Sequence, residues 1–261
     1  MKKQQLIAVT GLVAVLAASA SATTWHFDLK PQNGGGPGYG YSATGGSVKQ
    51  ISSSFNDVTD RLAFEATFGN SAAGTLPDGY WLVLNDGPNP KGTSDELAIF
   101  YFDTGVTNNG QAKLTAYGYN GQNGNSSYFD GSNASGTQAP DKIASSLTTS
   151  NFVNSLSVVN NANGTRTMKF DINAAIINNH DPKYGPASNW FGTGFDNKVG
   201  IWFHPVDGLD AQYGTDGFLK KFEFSKQGWV DGHNLNAVPE PFTMGALGLM
   251  ALAARRKKKN A

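Results

Sequence analysis

General acid–base chemistry needs carboxylates or imidazoles that converge, and this chain offers few. Between its terminal segments the only glutamates are Glu65, Glu96 and Glu223. A sugar-cleaving site of the two-carboxylate kind needs a pair about 5–9 Å apart facing one cleft. Glu65 and Glu223 fall on the polar side of alternating segments, the usual place for a structural carboxylate, and no E-x-D-x-x-E pattern occurs. The histidines His26, His180, His204 and His233 show no metal-ligand spacing and no H-E-x-x-H. His204 precedes Pro205 at the end of an apolar run, where a satisfied surface role is expected. There is no G-x-S-x-G elbow. With no cysteine, thiol nucleophiles, Cys-ligated zinc and iron–sulfur clusters are excluded. The expectation is a protein without catalysis of its own; the alternative is a secreted carbohydrate-active enzyme.

Binding chemistry has more material. Asp207, Asp210 and Asp216, with Gly208 and Gly214, place hard oxygens in one bend, as a calcium ion requires, although Asp-Gly is first of all a turn. Calcium is therefore the one cofactor to look for. Tyr184, Trp190 and Tyr213 lie near turns rich in Asn and Asp, where ring faces can stack on sugars and amides can meet hydroxyls. The competing reading is that Trp190 and Tyr213 close the ends of a folded domain.

Both termini carry a different kind of chemistry. Lys2 and Lys3 precede an apolar stretch from Leu6 to Ala18, and Ala20-Ser21-Ala22 forms an A-x-A cleavage site. Signal peptidase is expected to release a chain beginning at Thr23. At the other end Val238-Pro239-Glu240-Pro241 precedes an apolar run from Phe242 to Ala254, then Arg255, Arg256, Lys257, Lys258 and Lys259. Each proline fixes its own φ, lacks a donor and biases its predecessor to extended backbone, so Pro-Glu-Pro reads as a presented handle rather than a packed element. As a helix the apolar run spans about 20 Å, short of a hydrocarbon core of about 30 Å. Snorkelling arginines and bilayer thinning narrow that gap, and the basic cluster holds this end in the cytoplasm.

This tripartite ending resembles the PEP-CTERM sorting signal of exosortase substrates in Gram-negative bacteria, over roughly Val238 to Ala261. The resemblance implies that Val238, Pro239, Glu240 and Pro241 form the recognition and processing motif of a membrane-embedded exosortase. It also implies an inner-membrane-anchored precursor whose cut product reaches the cell surface or the extracellular matrix. The family's association with exopolysaccharide producers makes polysaccharide the expected partner of a biofilm-matrix protein; a purely structural matrix component is the other reading.

With the seven terminal cations and Glu240 set aside, thirteen basic and nineteen acidic residues remain, so the exported body carries about −6. Nucleic acid, which needs a basic footprint, is excluded as a partner. The 32 glycines, with frequent Asn and Ser, mean many turns, while 16 Phe, 9 Tyr and 5 Trp suffice for a core. In Arg61 to Phe68, Leu62, Phe64, Ala66 and Phe68 share one face and Arg61, Ala63, Glu65 and Thr67 the other, a half-buried strand. Tyr80 to Leu84 is a short apolar run expected to be buried on both faces. Asn160 to Gly164 joins two alternating segments as a hairpin. About ten such strands without long helices predict an all-β fold, an antiparallel two-sheet sandwich of jelly-roll or lectin-like type. The expected organisation is a signal peptide over 1–22, an extracytoplasmic sandwich over 23–231, a linker over 232–237 and the sorting tail, with its short transmembrane helix, over 238–261.

Overall fold

A computed structural model describes residues 23–31, 41–87, 97–106, 110–122, 139–185, 190 and 192–239. The fold is all-β, and every strand pair is antiparallel. One sheet has six strands: β1 (Thr24–Leu29), β3 (Ser47–Asn56), β4 (Arg61–Gly69), β9 (Val153–Asn160), β10 (Arg166–Asn173) and β16 (Val238–Pro239), in the order β16-β1-β3-β4-β10-β9. The second has eight: β2 (Tyr41–Ser42), β5 (Gly79–Asn85), β6 (Ala98–Asp103), β7 (Lys113–Gly118), β8 (Asp141–Ser145), β11 (Lys198–Asp207), β14 (Lys226–Gln227) and β15 (Trp229–Asn236). Its order is β2-β15-β11-β5-β6-β7-β8, with β14 beside β11. A separate hairpin joins β12 (Asp210–Tyr213) to β13 (Leu219–Glu223), and the described helix is the single turn α1, Ala175–Asn178.

Period-two alternation decides which side of each sheet is dry. Across the six-stranded sheet the register places Phe27, Ser53, Phe64 and Phe170 in one inward row. Phe64, Phe68, Phe170 and Phe203 all have no solvent exposure, and Phe203 sits 4.9 Å from the Tyr80 ring and 5.7 Å from that of Phe64. These rings fill the main core between the two sheets. β5 is buried at every position. Tyr80, Leu82 and Leu84 face the main core, whereas Trp81 and Val83 face a second core under the β12–β13 hairpin with Tyr101, Tyr117, Leu219 and Phe222. The five-residue apolar run thus serves two layers at once, which is why it shows no alternation.

Two expectations are corrected. Residues 232–236 of the expected linker are no tether: they continue β15, pair with β11 and bury Leu235, because a short segment of mixed polarity becomes strand where a neighbouring strand offers it backbone partners. His204 is not on the surface. It is 4 % exposed, its ring lies flat on Trp81 at 3.7 Å, and the Gln227 side-chain amide bonds to its Nδ1. No described helix is long and apolar enough to cross a membrane. The expected signal peptide, the apolar run 242–254 and the basic cluster lie outside the described residues, as do Glu96, Glu240 and Pro241.

Candidate binding trough and sorting edge

The outward face of the six-stranded sheet is polar. Its register sets three rows side by side: Thr24, Asn56 and Arg61; His26, Ser54, Ala63 and Asp171; Asp28, Ser52, Glu65 and Lys169. Ser54 and Ala63 are short side chains in the middle of these rows. Between the longer flanking groups they leave a trough of about 520 Å³, lined by Thr24, Ser54, Asn56, Thr59, Arg61, Ala63, Lys169 and Asp171. A smaller hollow of about 150 Å³ continues it past His26, Ser52 and Glu65.

The charges here are held by one another. Arg61 donates Nε–H to both oxygens of Asp171 at 3.0 Å and Nη2–H to Oδ2, while Asn154 Nδ2 donates to Asp171 Oδ1 at 3.0 Å. The hydrogen bonds from Arg61 hold the Asp171 carboxyl below the usual carboxylate range; burial opposes this and the Asn154 bond assists it. The same pair raises Arg61 above its ordinary value. Lys169 Nζ stands 3.7 Å from Glu65 Oε2, and His26 Nε2 lies 2.9 Å from Asp28 Oδ2. The arrangement offers hydroxyl, amide, guanidinium and ammonium groups on a shallow floor, chemistry suited to an extended polar ligand.

The edge that carries the first residues of the expected sorting motif adjoins this trough. Val238 pairs with His26 and Pro239 with Trp25, so the first half of the motif is the two-residue strand β16 on the edge of the sheet. The expectation of an unpacked handle is corrected for these two residues. Proline, having no N–H, is tolerated at a sheet edge, and Val238 remains 54 % exposed. At the same end Thr23 N–H donates to Asp57 Oδ1 at 2.8 Å, and the Asp57 N–H donates to the Thr23 carbonyl at 3.2 Å.

The residues singled out for calcium do not come together. Asp207 is buried and accepts from Ser71 Oγ at 2.7 Å and Thr75 Oγ1 at 2.6 Å, pinning the β4–β5 connection. Asp210 is bound by Lys221 Nζ at 2.6 Å and Asp216 by Lys142 Nζ at 2.7 Å; these cations lower both carboxyls. The bend is a β-hairpin whose carboxylates point to separate partners, so these residues do not fit a calcium ion. Among the described residues no cluster of three His, Asp or Glu could hold a metal.

The three aromatics also separate. Trp190 belongs to the main core and donates Nε1–H to the Ile177 carbonyl at 2.7 Å. Tyr213 packs against the second core, its hydroxyl 3.3 Å from Asp103 Oδ2, and burial pushes that phenol well up. Only Tyr184 is exposed, with Lys183 Nζ 4.7 Å over its ring. Proximity to a turn does not say which way a ring points, and here two of three point inward. Glu65 and Glu223 sit on β4 and β13, with both sheets and the main core between them, so they form no catalytic pair.

The trough residues were half visible in advance. Alternation puts Arg61, Ala63 and Glu65 on one face of β4, but that Asp171 and Lys169 stand beside them depends on the β4–β10 register, across about a hundred residues of chain. No protein-family model matches the chain, and no curated protein or solved structure matches it significantly.

Proposed function

We propose that this is an exported, non-catalytic cell-surface or extracellular-matrix protein, sorted and cut through its PEP-CTERM-like tail, whose sandwich binds extracellular polysaccharide. The observation that carries this reading is the β1–β16 pairing, which brings the start of the expected mature body and the first residues of the motif onto one sheet edge. On this reading the body sits directly above its membrane tail, with Glu240 and Pro241 the next residues for a membrane exosortase. Two paired residues at an edge cost little to peel away, so the motif is accessible to a peptidase that needs extended backbone. The trough of the same sheet, continuous with that edge through Thr24 and His26, is the polysaccharide-binding surface. A lectin-like sandwich is the finer fold assignment that goes with this role.

The test is intact mass and terminal sequencing of the protein from membrane and medium fractions of its native host. The expected product begins at Thr23 and ends between Pro239 and Pro241. A membrane-bound chain that still ends at Ala261 would reduce the tail to a plain anchor. For the carbohydrate-active alternative, release of reducing ends from a polysaccharide would have to depend on a trough carboxylate, and Glu65→Gln would abolish it.

A further inference from the structure

We infer that the trough selects saccharides bearing an oxyanion, either a uronate carboxylate or a sulfate ester, and that Arg61 reads that group. This rests on the polysaccharide-binding reading and adds the charge class of the ligand. The Arg61 side chain is 62 % exposed, whereas Asp171 beneath it is 8 % exposed. Arg61 spends Nε and Nη2 on Asp171, and its Nη1 makes no bond within the described residues. The guanidinium is thus clamped by Asp171, with Nη1 left as a donor on a residue that lines the trough. A side chain already fixed loses little freedom when a ligand arrives, and the planar fork matches carboxylate and sulfate geometry.

The carboxylates beside it act as supports. Asp171 accepts from both Arg61 and Asn154, so its oxygens are committed to the protein and are poor acceptors for sugar hydroxyls. Lys169, paired at 3.7 Å with Glu65, adds a second cation on the same trough. Thr24 and Ser54 supply hydroxyls for the ring hydroxyls, Asn56 is held by Thr24, Val58 and Thr59 as part of the wall, and the small Ala63 leaves the floor open. The body's net negative charge acts over long range and is screened beyond about 8 Å at physiological salt, so contact groups decide the selectivity.

The purified full chain is tested by isothermal titration against polygalacturonate, dextran sulfate and unmodified dextran at physiological salt. The tail cations attract any polyanion, so the informative comparison is Arg61→Ala, which keeps them. The full chain is expected to bind one or both charged polymers at least about tenfold tighter than dextran, with Arg61→Ala losing about tenfold on that polymer and Arg61→Lys recovering only part. Preference for polygalacturonate assigns a uronate, and preference for dextran sulfate a sulfate ester. Ser54→Trp, which fills the floor beside Ala63, is expected to remove binding with the near-ultraviolet circular dichroism otherwise retained. Undiminished charged-polymer binding in Arg61→Ala or Ser54→Trp would overturn the inference. Equal binding of all three polymers would overturn it while leaving the polysaccharide reading standing; binding of none would remove both.

Discussion

At the residue scale the Arg61–Asp171 pair is the feature with the clearest electrostatic consequence. Asp171 has a folded-state pKa below its unfolded value, so its contribution is present above the unfolded carboxylate range, near 3.9, and is lost as pH falls through the lower folded value. Because Arg61 is mostly exposed, solvent screens the pair, and Asp171→Asn should cost only about 1 kcal/mol at pH 7. Urea denaturation at pH 7 and again near pH 2.5 checks this: the deficit should shrink at the lower pH. An equal deficit at both would show that packing, not charge, accounts for it. Trp190 makes the opposite point. Its Nε1–H bond to the Ile177 carbonyl is buried, and that carbonyl also accepts the His180 N–H at 3.1 Å, so Trp190→Phe should lose only about 1 kcal/mol, the net worth of one hydrogen bond. Saccharide titration should be unchanged, since the ring is part of the core; a variant that folds normally but no longer binds would return Trp190 to the binding surface.

At the scale of elements, β5 and β11 form the spine shared by both cores. Phe203 on β11 touches the rings of Phe64, Phe68 and Tyr80, so Phe203→Ala opens a cavity among groups too rigid to collapse into it. A loss of about 3–5 kcal/mol is expected by calorimetry, and a loss under about 1 kcal/mol would mean that the core is looser than its packing suggests. Gly194 fixes how the loop before β11 meets the end of β5. Its φ is +60°, and an added Cβ would lie 2.2 Å from the Asp86 nitrogen, so Gly194→Ala meets both a backbone penalty and a clash with main chain. Gly164, at φ +78° with nothing within 4 Å of an added Cβ, carries only the backbone penalty. Thermal melts should therefore rank Gly194→Ala well below Gly164→Ala. Most strands could be read locally: β4 alternates as its sequence does, and the Asn-rich turn joins β9 to β10. β8, β12 and the length of β15 could not, because short mixed-polarity segments become strands only when a neighbour's edge accepts them.

At the scale of the whole molecule, the chain's described ends meet on one sheet edge. Truncation before Val238 removes β16 and exposes the edge of β1. The expected result is faster hydrogen exchange for the β1 backbone groups on that edge, with β5 and β11 as protected as before. Loss of protection in β5 would instead make the tail residues part of the global fold. Signal cleavage before Thr23 would also turn the Thr23 nitrogen into an ammonium beside Asp57, where its bond is 2.8 Å, adding an ion pair that the uncut chain lacks.

The sequence by itself determined the class of fold, the buried face of β4, the all-round burial of β5 and the likeness of the last residues to a sorting signal. Each of these is written in side-chain periodicity or in contiguous residue order, which need no partner to be read. Only the tertiary structure decided that 232–236 belong to a strand, that the three aspartates part company and that Trp190 and Tyr213 turn inward. It alone set Arg61 against Asp171, because a trough across strands is made by register, and register joins residues far apart in the chain through hydrogen bonds that no local pattern specifies.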